Sequence, residues 1–340
     1  MKIDIVQCHR MNTRHIEPRE FKFAEILTSF GVKVTIHTMI SDGLDLPLIE
    51  QRRGVNCIFY PVKKIEINNS VQLCEELKIN LLKQNSDVVL FKGLGYKIIE
   101  DVFESIKNFS KLGIIIGGKV THKNLIYFDY VFIESPNQKE KILESYPNLQ
   151  CNFLLMPKLI DWESVKRYRN IPKKFDVCNI GQFIQRKNQI ALTPLFEKYD
   201  VVLVGGGPEL DNFKSSITVN NKVFFTGQID RSDVYRIASS SHLNVHTSLH
   251  EGVPRAAIEA FACGVPLVGF NSTLGDVFGD LSFVNLTDEY ELKEVIDNLL
   301  SDPKMLNMLS DSAREWAFEM HGPHRLLKLV EDFIEIINPD

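Results

Sequence analysis

The sequence lacks the features that mark membrane-spanning, secreted and disordered chains. No segment contains the about 18 consecutive apolar residues that a membrane-spanning helix requires. The first residues, Lys2 to Val6, do not form the basic segment and apolar stretch of a secretory signal. Apolar residues make up 44% and charged residues 24% of the 340 residues, which argues against a disordered or collagen-like chain. We therefore expect a folded cytoplasmic protein.

Patterns of metal-binding and hydrolytic proteins are also missing. None of the six cysteines belongs to a Cys-x-x-Cys pair, and no group of His and Cys residues has zinc-ligand spacing. Neither Gly-x-x-x-x-Gly-Lys-Ser/Thr nor Gly-x-Ser-x-Gly occurs, so nothing indicates a P-loop NTPase or a serine hydrolase. We expect reduced thiols, most of them buried.

The net charge of -5 is unevenly divided along the chain. Residues 1–170 carry 24 Lys and Arg against 20 Asp and Glu, a balance of +4, so residues 171–340 carry 15 against 24, a balance of -9. The first half is not basic enough for a nucleic-acid domain, and we expect no nucleic-acid partner. Its mild positive charge is compatible with an anionic ligand or an anionic membrane surface.

Short apolar runs rich in β-branched residues alternate with amphipathic stretches of helical length. Strands such as Ile3–Val6 and Val88–Phe91 show no polar alternation, which is typical of a parallel sheet covered on both faces. Stretches such as Val71–Leu82 and Gln189–Phe196 are predicted to be helices. At about 150 residues per domain, the sequence predicts two doubly wound α/β domains, which bind ligands outside the carboxyl ends of their strands.

Residues 157–174 interrupt this alternation. They contain two prolines and six Lys or Arg residues, with only isolated apolar residues between them. We interpret the segment as a linker or hinge.

The strongest signal for a binding site is the segment from His250 to Pro266. Gly252 permits close approach of a ligand to the backbone, and Pro254 suits the first turn of the predicted helix that follows. Free backbone N–H groups at such a helix start form an anion site. Glu251 and Glu259 supply carboxylates suited to sugar or ribose hydroxyls; the alternative is a helix with two solvated glutamates.

Two further turns follow predicted strands. One runs from Gly181 to Asn188, and the other is Gly205-Gly206-Gly207. The glycine run does not fit a dinucleotide fingerprint, because Leu210 stands where a later glycine is required.

Together these segments resemble the donor site of retaining, GT-B-fold glycosyltransferases of glycosyltransferase family four, the glycosyl transferases group 1. The resemblance is clearest over residues 176–286. It implies an α/β fold of two Rossmann-like domains facing a central cleft. Residues 1–170 would form the acceptor side, residues 171–322 the nucleotide-sugar donor domain, and residues 323–340 a C-terminal helix packing back on the first domain.

The resemblance also implies roles in catalysis and donor binding. Glu259 would hold the ribose hydroxyls of a UDP- or GDP-sugar, and Glu251 would hold the hydroxyls of the donor sugar. Lys187 and the neighbouring Arg186 would neutralise the diphosphate as it leaves. The other donor-binding residues implied are Gly181, Gly205, Gly206, Gly252, Val253 and Pro254. No metal or other cofactor is implied, and the sequence contains no Asp-x-Asp pair.

The sequence departs from the family at two places. Gln182 stands where the family has an arginine, and the family's glycine-rich first loop is replaced by residues 9–15. We interpret His9, Arg10 and Arg14 of that segment as a site for an anionic acceptor or a phosphate at the end of the first strand; the alternative is a polar surface loop.

The family's cleft histidine has a displaced candidate in this sequence. His122 lies a few residues after the predicted strand Leu112–Ile116, and Lys119 and His250 are further candidates. The acceptor expected from relatives is a carbohydrate or glycolipid of the cell envelope, which would bring the protein to the inner face of the membrane.

Two other functions remain open at this stage. The fold also suits a sugar-nucleotide hydrolase or epimerase. A GT-B-like binding subunit without catalysis is the third interpretation, and Gln182, the missing glycine loop and the displaced histidine favour it.

Overall fold

The computed structural model describes residues 1–41, 43, 45–63, 73–118, 120–218, 220–270, 274, 277–278, 283–286 and 288–338. Lys119, one of the candidates above, lies outside these residues. The contacts within the chain divide it into two units. Unit 1 is Met1–Leu159 with His324–Asp340, and unit 2 is Ile160–Pro323.

Unit 1 contains a sheet with eight strands in the part of the chain that the structure describes. All neighbouring strands run parallel except β3 and β4, which form an antiparallel hairpin. In order across the sheet the strands are β3 (Leu48–Arg52), β4 (Val55–Pro61), β2 (Lys33–Ile40), β1 (Lys2–Met11), β5 (Val88–Lys92), β6 (Lys111–Ile115), β7 (Tyr130–Ile133) and β8 (Asn152–Leu155). The helices are α1 (Pro18–Ser29), α2 (Glu75–Gln84), α3 (Lys97–Ile106), α4 (Pro136–Ser145) and α11 (Pro323–Ile337), with a 3-10 helix at Lys123–Tyr127.

Both faces of this sheet are buried. Ile3 and Ile5 of β1 belong to one apolar cluster, whereas Val6 and Cys8 of the same strand belong to another. Successive side chains of a strand point to opposite faces, so a strand covered on both sides must be apolar at nearly every position. This explains why the strands are recognisable in the sequence as unbroken apolar runs.

Helix α11 completes the core of unit 1. Phe333 is fully buried, and its ring centroid lies 5.1 Å from that of Phe132, 5.3 Å from that of Tyr130 and 6.1 Å from that of Phe23. Helix α11 therefore packs against α1 and against β7, the strand next to the β8 edge of the sheet.

Unit 2 contains a parallel sheet with six strands among its described residues. In order they are β11 (Val223–Gly227), β10 (Val201–Val204), β9 (Phe175–Ile180), β12 (Ser241–His246), β13 (Leu267–Phe270) and β14 (Phe283–Leu286). The helices are α5 (Trp162–Tyr168), α6 (Leu210–Ser216), α7 (Arg231–Ser239), α8 (Arg255–Ala262), α9 (Leu292–Ser301) and α10 (Pro303–His321), with 3-10 helices at Gln185–Lys187, Gln189–Leu195 and Glu289–Glu291. None of the helices in the described part of the chain is long and apolar enough to cross a membrane.

The segment interpreted as a linker, residues 157–174, contains helix α5. The side chain of Asp161 caps this helix by accepting a hydrogen bond from the amide of Ser164 (3.1 Å). Ile160 and Val165 are buried in the core of unit 2. These contacts place the boundary between the units at Leu159 and Ile160, before the predicted position at residue 170.

Three other local predictions differ from the structure. The stretch Gln189–Phe196 forms a 3-10 helix to Leu195, because Pro194 lies inside it and removes a backbone donor. Helix α2 begins at Glu75, and residues 71–72 of the predicted helix lie outside the described residues. The hairpin of β3 and β4 was not predicted, since β3 is polar and lies at the edge of the sheet.

The buried position of Phe333 leads to a stability prediction. Replacing Phe333 with Ala removes a ring from a closed apolar cluster and should lower the free energy of unfolding by about 3–5 kcal/mol, measured by urea denaturation. Leu327→Ala is the matched control on the same helix, because Leu327 is 42% exposed; it should cost less than about 1 kcal/mol. Equal losses in the two variants would contradict the anchoring of α11 through Phe333.

Candidate active site

The candidate site lies at the carboxyl edge of the sheet in unit 2. Strand β9 lies between β10 and β12, and the three run parallel. The segments that follow them therefore emerge side by side. They are residues 181–188 after β9, Gly205–Gly207 after β10 and residues 247–254 after β12.

The glycine run after β10 supports the segment after β9. The amide of Gly181 donates to the carbonyl of Val204 (2.9 Å), and the amide of Phe183 donates to the carbonyl of Gly206 (2.9 Å). Gly205 has φ +137°, and a Cβ there would overlap the carbonyl oxygen of Gly181. A Cβ on Gly207, at φ +154°, would overlap the backbone of Phe183. The glycines are thus needed for two backbone segments to lie in contact.

The segment after β12 is fastened to the same loop. The amide of Leu249 donates to the carbonyl of Arg186 (2.9 Å), and the hydroxyl of Thr247 donates to the carbonyl of Lys187 (2.7 Å). These contacts hold the two basic residues beside the turn that leads into α8. In that turn Val253 and Pro254 are buried, while Gly252 is exposed.

Glu251 is the centre of a charged cluster. Its Oε1 atom accepts hydrogen bonds from the ammonium of Lys187 and from Nη1 of Arg186 (3.0 Å). The side chain of Glu251 is 11% exposed, whereas that of Arg186 is 49% exposed. Burial acts to raise the pKa of Glu251, but the hydrogen bond and charge of Lys187 outweigh it and hold the pKa well below its usual range. Glu251 is therefore an ionised carboxylate between two cations.

His246 is a member of this cluster that the sequence analysis missed. It is the last residue of β12, it is buried, and its Nε2 lies 3.7 Å from Oε1 of Glu251, beyond hydrogen-bond distance. Nε2 has no hydrogen-bond partner among the described residues. Burial lowers the pKa of His246 below its usual value, so the ring is neutral near pH 7. A histidine at the carboxyl end of a strand, shortly before the segment His250 to Pro266, was the signal available in the sequence.

The second carboxylate of the motif, Glu259, lies on α8 and is 5% exposed. Its Oε1 accepts from Nε (2.9 Å) and Nη2 (2.6 Å) of Arg231. The hydroxyl of Tyr235 also points to Oε1, at 3.4 Å. Burial, followed by the charge of Glu259, raises the pKa of Tyr235, so this hydroxyl keeps its proton and can donate. Neither Arg231 nor Tyr235 was predicted.

The candidates in the first half of the chain belong to unit 1. Strand β1 continues to Met11, so His9 and Arg10 are part of the strand, and the predicted loop over residues 9–15 is wrong at its start. Arg10 donates to the hydroxyl of Ser41 (2.6 Å), and Arg14 lies 3.4 Å from Glu50. Burial lowers the pKa of His9. The strand extends because Met11 pairs with Ile40 after an irregularity in register.

His122 has a local structural role. Its Nδ1 accepts a hydrogen bond from the amide of Asn124 (3.2 Å) and so caps the 3-10 helix that follows. His122 lies in unit 1 and Glu251 in unit 2. His250 contributes its backbone carbonyl, which accepts from Nη1 of Arg186 (3.0 Å).

A buried ionic cluster in unit 1 was also missed. Arg19 donates to Glu134 (2.5 Å) and to Glu20 (2.8 Å), and Lys158 donates to Glu134 (2.6 Å). Lys92, the last residue of β5, lies 3.5 Å from Glu20. The cluster follows the carboxyl ends of β5 and β7, and its members are far apart in sequence, so no local motif indicates it.

The two neighbouring glycines after β10 permit a matched test of the loop contact. Gly205→Ala should destabilise the protein by about 1–3 kcal/mol, because the new Cβ meets backbone and the residue keeps a positive φ. Gly206→Ala is the control, since a Cβ there has its nearest neighbour, in Gln228, at 3.5 Å. Thermal denaturation of both variants measures the difference, and similar midpoints would contradict the packing described.

The depressed pKa of Glu251 predicts a pH dependence. A carboxylate with a lowered pKa in the folded state contributes stability above its unfolded pKa of about 4.3, and loses that contribution as the pH falls further. Glu251→Gln should therefore destabilise the protein at pH 7 and differ less from the wild type at about pH 3, measured by urea denaturation. Asp311→Asn is the control, because Asp311 is 80% exposed and pairs only at the surface with Arg314. The ion pair would be contradicted if the loss of unfolding free energy in Glu251→Gln, relative to the wild type, became larger towards pH 3.

Comparison with known proteins finds similar sequences. Residues 161–316, nearly all of unit 2, match the model of a family described as glycosyl transferases group 1. Two uncharacterized glycosyltransferases of Methanocaldococcus jannaschii are similar in sequence. One is 24% identical over 220 residues, covering 58% of this chain and 51% of its own length. The other is 23% identical over 247 residues, covering 68% of this chain and 56% of its own length. The chain thus spans about half the length of these curated relatives.

Solved structures match over both units. A trehalose-6-phosphate protein from E. coli bound with UDP-2-fluoro glucose superposes with a TM-score of 0.75 at 11% identity, over 100% of this chain and 99% of that one. Sucrose-phosphate synthase from Thermosynechococcus elongatus gives 0.71 at 17%, over 99% of each chain. Anabaena HepE in complex with UDP-glucose superposes with a TM-score of 0.67 at 14% identity, over 99% of this chain and 100% of that one. The predicted fold is therefore confirmed: the chain has the GT-B fold of glycosyltransferases, and through residues 161–316 it matches the glycosyl transferases group 1.

Proposed function

We propose that the protein is a retaining glycosyltransferase that moves a sugar from a nucleoside-diphosphate sugar to a hydroxyl acceptor. The observation that carries this proposal is the carboxylate of Glu251 held between Lys187 and Arg186 at the carboxyl edge of the unit 2 sheet. Ligands of doubly wound sheets bind at that edge. The family match over residues 161–316 supports the same activity.

The donor binds to unit 2. Two structural relatives are described with UDP-2-fluoro glucose and with UDP-glucose, which supports a uridine diphosphate sugar here, with a guanosine diphosphate sugar as the alternative. Glu259 accepts from the ribose hydroxyls, and Glu251 accepts from the hydroxyls of the donor sugar. The diphosphate lies against Lys187, Arg186 and the backbone N–H groups of the turn from Gly252 to Pro254.

The charged cluster accounts for how the site can accept this donor. In the free protein Glu251 neutralises two cations that would otherwise be partly buried without a counter-ion. A diphosphate carries more negative charge than one carboxylate and competes for Lys187 and Arg186. Glu251 is then available to the sugar hydroxyls, so binding the donor exchanges one set of charge contacts for another.

The chemistry requires no protein nucleophile. The bond between the anomeric carbon and the phosphate oxygen breaks, while the acceptor oxygen bonds to the same face of that carbon. The departing phosphate oxygen takes the proton of the acceptor hydroxyl. Lys187 and Arg186 stabilise the negative charge that develops on the leaving diphosphate, which is the largest contribution that a fixed site can make.

The acceptor is a carbohydrate or glycolipid and is bound by unit 1. The cationic side chains of Arg10 and Arg14 support an acceptor that carries negative charge or lies at an anionic membrane surface. His9, Arg10 and Arg14 remain the proposed contacts. The chemistry needs no divalent metal at the diphosphate if Lys187 and Arg186 supply the charge.

One observation favours a second candidate, a nucleotide-sugar-binding subunit without catalysis. Gln182 is exposed and brings no charge where the family has an arginine. If the protein is an active enzyme, Arg186 replaces that charge. Arg186 lies on the same loop as Lys187 and pairs with the same carboxylate, Glu251. Catalytic turnover distinguishes the two.

The test measures release of nucleoside diphosphate from a panel of UDP- and GDP-sugars, with and without carbohydrate and lipid-linked acceptors. Lys187→Ala should lower kcat/KM by about 100-fold or more, the usual cost of losing one group that stabilises the leaving charge. Lys198→Ala is the matched control, because Lys198 is exposed and pairs with Asp297 at 3.0 Å. Its activity should equal that of the wild type.

Other outcomes identify the alternatives. Tight nucleotide binding without transfer to any acceptor would indicate the binding subunit. Diphosphate release that is independent of acceptor would indicate a hydrolase. Full activity in Lys187→Ala would refute the assignment of the diphosphate site.

A further inference from the structure

The carboxylate of Glu259 is fixed by a side chain that the family signature does not include. Arg231 reaches Oε1 through both Nε and Nη2, at 2.9 and 2.6 Å. This pair of hydrogen bonds, called the fork below, fixes the orientation of the carboxylate as well as its distance from Arg231, because the guanidinium is planar. A carboxylate accepts on two oxygens, so a fork on Oε1 still allows ligand hydroxyls to be accepted at Oε2.

The neighbours of Arg231 show that the fork is part of a built arrangement. Arg231 is the first residue of α7, and Tyr235 lies one turn later on the same face of the helix. The hydroxyl of Tyr235 points to Oε1 of Glu259 at 3.4 Å and accepts a hydrogen bond from the amide of Asp161 (3.0 Å). Three segments thus converge on one buried carboxylate.

The accessibility of the pair favours a role towards a ligand. Glu259 is 5% exposed, yet the side chain of Arg231 is 38% exposed. Strand β11 ends at Gly227, shortly before α7, so Arg231 enters from the carboxyl edge of the sheet, where the donor is proposed to bind. The pair therefore combines a buried carboxylate with a cation that a ligand at this edge can reach.

We propose that Arg231 is a positioning residue that makes the site selective for ribonucleotide donors, by aiming Glu259 at the 2′-hydroxyl of the ribose. This inference rests on the proposed function, in which Glu259 accepts from the ribose. When the carboxylate is held in one orientation, its hydrogen bond to the 2′-hydroxyl contributes fully to the binding free energy of the nucleotide. That contribution is lost when the hydroxyl is absent. When the carboxylate is free to rotate, the same hydrogen bond contributes less binding free energy, so the site discriminates poorly between ribonucleotides and deoxyribonucleotides.

The experiment compares the affinities of UDP and 2′-deoxy-UDP, and of GDP and 2′-deoxy-GDP, by isothermal calorimetry on the full chain. The wild type should prefer the ribonucleotide by about 10- to 100-fold, as expected for one hydrogen bond to a charged group. In Arg231→Ala the preference should fall to about threefold or less, mainly through weaker binding of the ribonucleotide. Arg231→Lys keeps the charge without the fork and should also lose most of the preference.

Two further variants make the comparison specific. Arg236→Ala is the matched control on α7, since Arg236 is exposed and bonds Asp233 on its own helix (3.0 Å); it should keep the wild-type preference. Glu259→Ala should abolish the preference, and adding Arg231→Ala to it should change the preference no further, because both residues act through the same hydroxyl.

The outcomes separate this inference from the proposed function. If the wild type binds neither diphosphate, both fail. If it binds one of them but Arg231→Ala and Arg231→Lys keep the full preference, only the role of Arg231 is refuted. Equal losses of ribo- and deoxyribonucleotide affinity in Arg231→Ala would also refute it, since they would mean that Arg231 acts on the phosphates or on the fold.

Discussion

A parallel sheet covered on both faces has almost no interior position for a polar side chain, and this constraint organises the whole molecule. In both units most buried strand positions are apolar, and the charged clusters described above lie where strands end. Asp4 of β1 is an exception, since its Oδ1 lies 3.2 Å from Nε2 of His37 on β2 and both side chains are buried. The residues of the charged clusters are Lys187, Glu251 and Glu259 in unit 2 and Arg19, Glu134 and Lys158 in unit 1. Buried charges are tolerated there because each carboxylate has a cation as its direct partner.

The fold could be predicted from the sequence because burial leaves a local signature. Unbroken apolar runs indicated the strands, and glycines at strand ends indicated the turns. The predictions failed where the signature was weak. Helix α5 is short and basic, so it resembled a linker, and β3 is a polar edge strand. The register irregularity that lengthens β1 depends on pairing with β2, which no local pattern encodes.

The candidate site was predictable to a smaller extent. The motif identified Glu251, Glu259 and Lys187, and the structure brings Glu251 and Lys187 into contact although they lie far apart in the chain. It did not identify Arg231, Tyr235 or His246, because their partners are set by the packing of α7 against α8 and by the end of β12. Net charge was a poor guide, since the acidic half of the chain contains Lys187 and Arg186, the cations proposed to bind the diphosphate.

The course of the chain through the two units has a consequence for biosynthesis. Unit 2 is a continuous insertion within unit 1. The two segments of unit 1 precede Ile160 and follow Pro323. During translation unit 2 has all of its residues before unit 1 does. Until Phe333 leaves the ribosome, the apolar surface around Phe23 and Phe132 has no cover. Unit 1 therefore emerges in part before unit 2 but closes after it, and the apolar surface that α11 covers stays exposed until then.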